Sequence, residues 1–240
     1  MYLLIDAGNS RVKWLFGRAI PTVVEALSYR DNWQERLYRA WHLLPEPQKI
    51  ALSSVNNPEV EEYMSALAWR LWQRRIYHFR PQKRTGTKLT VAYERPETLG
   101  TDRYLAMLGA RDLCGQALVV VGCGTAITFD AVDSDGQHLG GFILPGIRMA
   151  ENALLNHTQR LVPMRWTANF LGKDTATCIG AGIHHALPAG VEGLATELEQ
   201  QWGYYFQRFA FGGDASILFS DRPNYQLEPD LIFRGMLANL

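Results

Sequence analysis

Three cysteines in 240 residues, Cys114, Cys123 and Cys178, are too few and too irregularly spaced for a disulfide framework or a paired metal site. Their scarcity points to a reducing compartment, the cytoplasm. Long apolar runs are missing too: the apolar N-terminus breaks at Asp6, and no basic-then-apolar leader precedes it, so neither export nor a membrane span is expected. Net charge is absent, since 24 Lys and Arg balance 24 Asp and Glu, which removes any global argument for nucleic acid or an anionic membrane. A Ser-His-Asp order, a nucleophile elbow and a Walker lysine loop are also lacking, against hydrolase and P-loop chemistry. His184 and His185 are adjacent and would point about 100° apart on a helix, so they read as structural rather than as a shared metal site.

What is present describes an ordinary globular chain, 47% hydrophobic and 20% charged, with enough apolar surface for a sizeable core. The length suits one large domain or two small ones. One local asymmetry stands out. From Tyr63 to Tyr93 there is no acidic residue, while Arg70, Arg74, Arg75, Arg80, Lys83, Arg84 and Lys88 all fall within it. A nucleic-acid patch, an electropositive approach for an anionic small molecule and a solvated helix face with a mobile loop are the three readings of that stretch.

Hydrophobic periodicity gives an α/β pattern. Helical spacing runs from Asp31 to Leu44, where Pro45 and Pro47 end it, and again from Pro58 to Arg75, after a strand at Lys49 to Val55 and a turn at Asn56-Asn57-Pro58. A strand is expected from Thr87 to Tyr93, then a helix over Leu99–Arg111 that buries Tyr104, Leu105 and Leu108. A strand from His138 to Leu144 leads into a helix opened by Pro145-Gly146 and running to about His157. Two helical stretches divided at Pro188 occupy Ala176 to Leu198, a strand turns into a helix at Phe209 to Ala215, and Pro229 to Leu240 closes the chain as a helix.

Two stretches share one grammar. Val119-Val-Val-Gly-Cys-Gly-Thr-Ala-Ile-Thr-Phe-Asp130 runs from an apolar strand into a glycine-flanked turn and out again, and such a turn can cradle a phosphate with its amides and the Thr125 hydroxyl. A Gly-X-Gly-Thr turn in a sheet also serves as plain hairpin punctuation. Met1-Tyr-Leu-Leu-Ile-Asp-Ala-Gly-Asn-Ser-Arg-Val-Lys-Trp-Leu-Phe16 repeats the pattern with Asp6 and Ser10, and two such hairpins far apart in the chain suggest a duplicated domain. Asp102, at the mouth of its helix, admits two readings: an acid that satisfies first-turn amides, or a functional carboxylate.

In these residues the chain resembles the type III pantothenate kinases, of the actin-like ATPase superfamily of acetate and sugar kinases. Asp6-Ala-Gly-Asn-Ser10 is similar to that family's first phosphate motif, and Gly100-Thr-Asp-Arg103 to its substrate motif. Gly124-Thr-Ala-Ile-Thr-Phe-Asp130 resembles the second phosphate motif, and Gly140-Gly-Phe-Ile-Leu-Pro-Gly146 the segment after it. The resemblance implies an α/β, duplicated ribonuclease-H-like (actin-like ATPase) fold. Its two similar halves, residues 1–114 and 115–240, would hold the active site in the cleft between them. It implies transfer of the γ-phosphoryl of ATP to the primary hydroxyl of pantothenate, the opening step of coenzyme A synthesis. Another phosphotransferase of the superfamily and a regulatory or transcription-accessory homologue are the rival functions.

Carried over by position, Asp6, Ala7, Gly8, Asn9, Ser10, Arg11, Val12 and Lys13 would line the ATP phosphates, with Asp6 holding Mg²⁺ and Thr125 contributing from the second hairpin. Asp102 would accept the proton of the attacking hydroxyl. Gly100, Thr101, Asp102, Arg103 and Tyr93 would hold pantothenate, and Thr175 would reach it at a homodimer interface. Gly212-Gly-Asp-Ala215 would sit near the adenine, with Phe211 where many members have threonine. Neither a specific nucleic-acid partner nor a membrane partner is implied. The family uses a monovalent cation, K⁺ or NH₄⁺, bound by an aspartate at the position of Gly122, so this chain departs from the pattern there. Asp130 is a second carboxylate that either faces the phosphates or supports the turn.

Overall fold

The computed structural model describes every residue except 21, 22, 31, 56, 57, 87, 159 and 168. The expected turn at Asn56-Asn57, the expected helix start at Asp31 and the expected strand start at Thr87 therefore lie outside the described residues. The chain divides into two compact units, Met1–Cys114 with Asp230–Leu240, and Gly115–Pro229.

The first unit begins with an antiparallel hairpin, β1 (Tyr2–Ala7) and β2 (Arg11–Gly17), extended by β3 (Val24–Ser28). Helix α1 (Trp33–Trp41) buries Leu37 and Trp41, and β4 (Lys49–Ser54) then enters parallel to β1. Helix α2 (Pro58–Trp72) opens on a proline and buries Val60, Met64, Leu67 and Ala68, one stripe at helical spacing. After β5 (Ile76–His78) the sheet order is β3-β2-β1-β4-β5. The expected strand through Tyr93 is cut down to a two-stranded ribbon, β6 (Arg84–Thr85) with β7 (Leu89–Thr90). Helix α3 (Thr101–Leu113) buries Tyr104, Leu105 and Leu108 as expected, together with nearly every neighbour on all sides.

The second unit repeats this plan. β8 (Leu118–Cys123), β9 (Ala126–Val132) and β10 (His138–Pro145) form an antiparallel meander, and α4 (Ile147–Asn156) follows. Then come α5 (Thr175–Trp202), β11 (Gln207–Phe211), α6 (Ala215–Phe219) and β12 (Tyr225–Leu227). Both added strands are parallel to their neighbours, and the order β10-β9-β8-β11-β12 matches the first sheet strand for strand and sense for sense. Two copies of one topology make this a duplicated ribonuclease-H-like fold.

Two expectations are corrected. Pro188 does not divide α5, which runs unbroken across it. The proline is buried, a capping box between Asp174 and Thr177 fixes the start, and Gly203 in a left-handed conformation (φ 75°) ends it. Packing of the apolar face thus outweighs the missing amide. The second half does not extend to Leu240 either. The closing helix α7 (Leu231–Leu237) belongs to the first unit, where it crosses α3 so closely that a Cβ on Gly235 would lie 2.0 Å from the Leu105 carbonyl oxygen.

Candidate active site

In the first hairpin the register sets Asp6 between Lys13 on β2 and Ser53 on β4. The carboxylate is buried, and its pKa is pushed up to about 7, first by loss of solvent and then by the negative charge of Asp102; the Lys13 ammonium and the Ser53 hydroxyl oppose the rise. Ser53 is fully buried, and apart from its approach to the Asp6 carboxylate its Oγ has no hydrogen-bond partner. The turn itself closes through Gly8 N donating to Arg11 O at 3.1 Å, and Tyr29 N donates to Ser10 O at 3.3 Å, so the end of β3 braces it. Asn9, Ser10 and Arg11 are exposed at the tip, whereas Ala7 and Val12 are buried in the core of the unit and offer a ligand only their backbone.

Asp102 stands in the first turn of α3, and its Oδ1 accepts from Arg103 N at 2.8 Å, which fixes the carboxylate. Gly100, the residue before the helix, leaves room for it: a Cβ there would lie 2.6 Å from Asp102 Oδ1. Arg103 is buried, donates to Tyr93 Oη at 3.1 Å and lies 5.9 Å from the centre of that ring. Thr101 is buried beside it. The first unit therefore gathers Asp6, Lys13, Asp102, Arg103 and Tyr93 from four separate stretches. A buried carboxylate whose pKa is raised by a second one, flanked by cations, suits a polyanionic ligand with its metal ion.

In the second unit, Gly124 and Thr125 are exposed at the tip of the β8–β9 hairpin, where Gly124 N donates to Ala126 O at 3.1 Å. The start of α4 is pressed onto this turn. Gly146 N donates to Thr125 O at 3.2 Å, and a Cβ on Gly146 would meet Gly124 O at 2.3 Å. Gly212, at φ 101°, packs as tightly under β8, and Asp214 N donates to Cys123 O at 3.1 Å. Thr175 opens α5 on a different side chain cluster, beside an apolar groove of about 840 Å³ lined by Leu154, Leu161, Cys178, Ile183 and Leu187. Asp130 is buried against His138, Nε2 to Oδ1 3.1 Å, which places it within the sheet as a structural partner.

Motif reading missed the Ser53 hydroxyl, and it placed Gly146 at the end of a motif without showing that this glycine buttresses the second turn. Ser53 lies at the carboxyl end of a parallel strand, where ligands of α/β sheets collect, and Gly146 follows a strand-ending proline, so both left a weak trace in the sequence.

The family model of type III pantothenate kinases matches residues 2–197. The type III pantothenate kinase of Dichelobacter nodosus is 65% identical over 240 residues, covering 100% of this chain and 98% of that protein. The chain belongs to the type III pantothenate kinase family. A more distant member, from Nitrosococcus oceani, is 31% identical over 98% of this chain and 92% of its own. Among solved structures, a conserved protein of Campylobacter jejuni described as a Baf family transcriptional activator superposes with a TM-score of 0.61 at 22% identity, covering 98% of this chain and 94% of that one. The activator of 2-hydroxyisocaproyl-CoA dehydratase from Clostridium difficile, with bound ADPNP, gives 0.53 at 10% identity over 99% and 92%. These two likenesses show the fold alone.

Proposed function

We propose that the chain transfers the γ-phosphoryl group of ATP to the primary hydroxyl of pantothenate, giving 4′-phosphopantothenate, and that the residues gathered in the first unit carry the chemistry. The observation that carries this reading is the closeness of two carboxylates, Asp6 buried on β1 and Asp102 fixed at the mouth of α3, near enough for the charge of Asp102 to disfavour that of Asp6. Phosphoryl transfer depends on positioning and charge neutralisation more than on covalent chemistry. In the first unit the hairpin amides, the Ser10 hydroxyl and the Lys13 ammonium suit the phosphates, and in the second unit the hairpin amides and the Thr125 hydroxyl suit an anion in the same way. Arg103, oriented by Tyr93, offers a guanidinium fork to the pantothenate carboxylate. Asp102 receives the hydroxyl proton as the new bond forms.

The residues present fit a Mg²⁺ ion. A buried carboxylate beside a second one, next to a buried hydroxyl whose one neighbour is that carboxylate, is relieved by a cation and its hydration shell. Among the described residues no group of three or more His, Cys, Asp or Glu forms a cage, which suits an ion held by one carboxylate together with phosphate oxygens and water. Asp6 would hold it, and it would neutralise charge on the phosphates.

Thr175 would reach pantothenate from a partner subunit. Support for a homodimer comes from the groove beside Thr175 and from the exposed Met149, Leu154, Trp166, Phe170 and Leu171 of the same unit. A cytoplasmic location agrees with three free cysteines, and no helix among the described residues is long and apolar enough to cross a membrane. Specific nucleic-acid binding is not part of the reading. Much of the basic stretch is engaged locally: Arg70 lies over the Tyr38 ring, Arg74 meets Glu46 at 2.7 Å, Arg80 meets Glu61 at 3.4 Å and Lys88 meets Asp112 at 3.8 Å.

The test is a coupled ADP-release assay with pantothenate, the product identified by mass spectrometry. Pantothenate-dependent ADP release with a matching phosphorylated product supports the proposal. ADP release independent of pantothenate, or none, overturns it.

A further inference from the structure

The resemblance implies a monovalent cation at the second phosphate turn, held by an aspartate where this chain has Gly122. The sheet register shows what occupies that volume instead. Gly122 on β8 is paired directly with Thr128 on β9 and with Phe211 on β11. Side chains at paired positions of neighbouring strands share a face. Thr128 and Phe211 therefore converge over the glycine from both sides. A Cβ on residue 122 would lie 2.6 Å from Thr128 Oγ1, 2.9 Å from Phe211 Cζ and 3.1 Å from Phe211 Cε1. Phe211 is itself buried, so its ring has little freedom to swing away.

The nearby backbone oxygens have partners of their own. Cys123 O accepts from Asp214 N at 3.1 Å and is closed off by Gly212, while Thr125 O accepts from Gly146 N at 3.2 Å. Each of these oxygens already gives one of its two lone pairs to a donor, which makes it a poorer ligand for an ion. The two departures at 122 and 211 are thus one change in space, a carboxylate exchanged for a ring and a glycine that admits it.

We infer that Phe211, packed on Gly122 and Thr128, replaces the monovalent cation of the second phosphate turn, so that this kinase neither binds nor needs potassium or ammonium there. Losing the carboxylate along with the ion leaves no buried charge unpaired. The Mg²⁺ requirement is untouched, because the triphosphate charge remains. The inference rests on the kinase reading.

Two measurements on the full chain test it. The first is initial rate against potassium chloride, with choline chloride holding the ionic strength constant. The second is the melting temperature of the protein with ADPNP and Mg²⁺ over the same series, which reads ion binding whether or not turnover is seen. A flat rate and an unshifted melt are expected. A saturable rise in either overturns the inference and shows that other ligands, Asp214 foremost, keep the ion. A protein inactive on pantothenate sinks the functional reading while leaving the melting series to decide this one. Gly122→Asp alone is expected to misfold, so the variant to compare is Gly122→Asp with Phe211→Thr. Once the ring is gone, this double variant should gain saturable potassium activation of about tenfold. If that folded double variant stays indifferent to potassium, Phe211 is not the replacement.

Discussion

At Asp102 a structural duty and a chemical one fall on the same carboxylate. Its Oδ1 takes the Arg103 amide in the first turn of α3, and that bond holds the group still for a hydroxyl to meet. Replacement by asparagine keeps an acceptor for the amide and removes the proton acceptor. Asp102→Asn should therefore lower kcat by roughly two to four orders of magnitude, the usual range for a general base, with nucleotide binding retained by calorimetry. Near-normal turnover in the folded variant would return Asp102 to capping alone. The thiol of Cys123 is held protonated by its surroundings. Burial and the charge of Asp214 push its thiol up to about 12 from an ordinary value of 9.0, and the thiolate is the reactive form. At pH 8 a thiol reagent should spare Cys123 until the protein unfolds. Above about pH 9 the unfolded chain releases this proton and the folded one keeps it, so stability falls as pH rises towards 12. Cys123→Ala should flatten that part of the alkaline unfolding curve, and an unchanged slope would show that the thiol does not contribute.

Among the elements, those with a strong internal pattern were legible in the sequence, and those defined by a neighbour were not. The two hairpins, α1 and α2 carry their own periodicity. β3 exposes most of its five residues, and β5 and β12 have three residues each, too short to alternate visibly; they exist because a paired strand lies beside them. Pro188 misleads for a related reason, since the local rule counts the lost hydrogen bond and not the core that α5 packs against. The candidate site divides in the same way. Asp6, Asp102 and Thr125 sit in contiguous motifs, whereas Ser53 reaches Asp6 only through the β1–β4 register and Gly146 supports the second turn only through the fold. Gly146→Ala isolates that support. Its Cβ would be forced against Gly124 O and Thr125 O, shifting the turn without touching a charged group. A misplacement approaching 1 Å at the phosphates should reduce kcat/KM for ATP by about tenfold to a hundredfold. Circular dichroism should stay native, and unchanged ATP kinetics would remove the turn from the binding site.

For the molecule as a whole, the chain reading halves the sequence at residue 114 and the structure closes the first half with the last helix. α7 buries Leu231, Ile232, Phe233 and Met236, and each such side chain is worth about 1.5–3 kcal/mol when fully buried, so its docking is comparable with the whole stability of a typical domain. The crossing works because both helices present glycine. A Cβ on Gly109 would lie 2.2 Å from Leu231 O, and one on Gly235 2.0 Å from Leu105 O, so the backbones meet with no side chain between them. Nothing local in the sequence marks a glycine as a partner of another more than a hundred residues away, which is why α7 reads as part of the second half. Because β1 and α3, which carry Asp6 and Asp102, are the elements α7 packs on, an error at the crossing should reach the site. Gly235→Val inserts a branched side chain where no atom fits, and overpacking of this kind costs about 1–3 kcal/mol. The melting temperature should fall, and amide exchange in α3 should accelerate before exchange in β8, β9 and β11. Turnover should drop in parallel, because Asp102 rides on α3. A variant with native melting and native exchange in α3 would show that the helices have room to part, and that the C-terminal helix does not hold the first unit together.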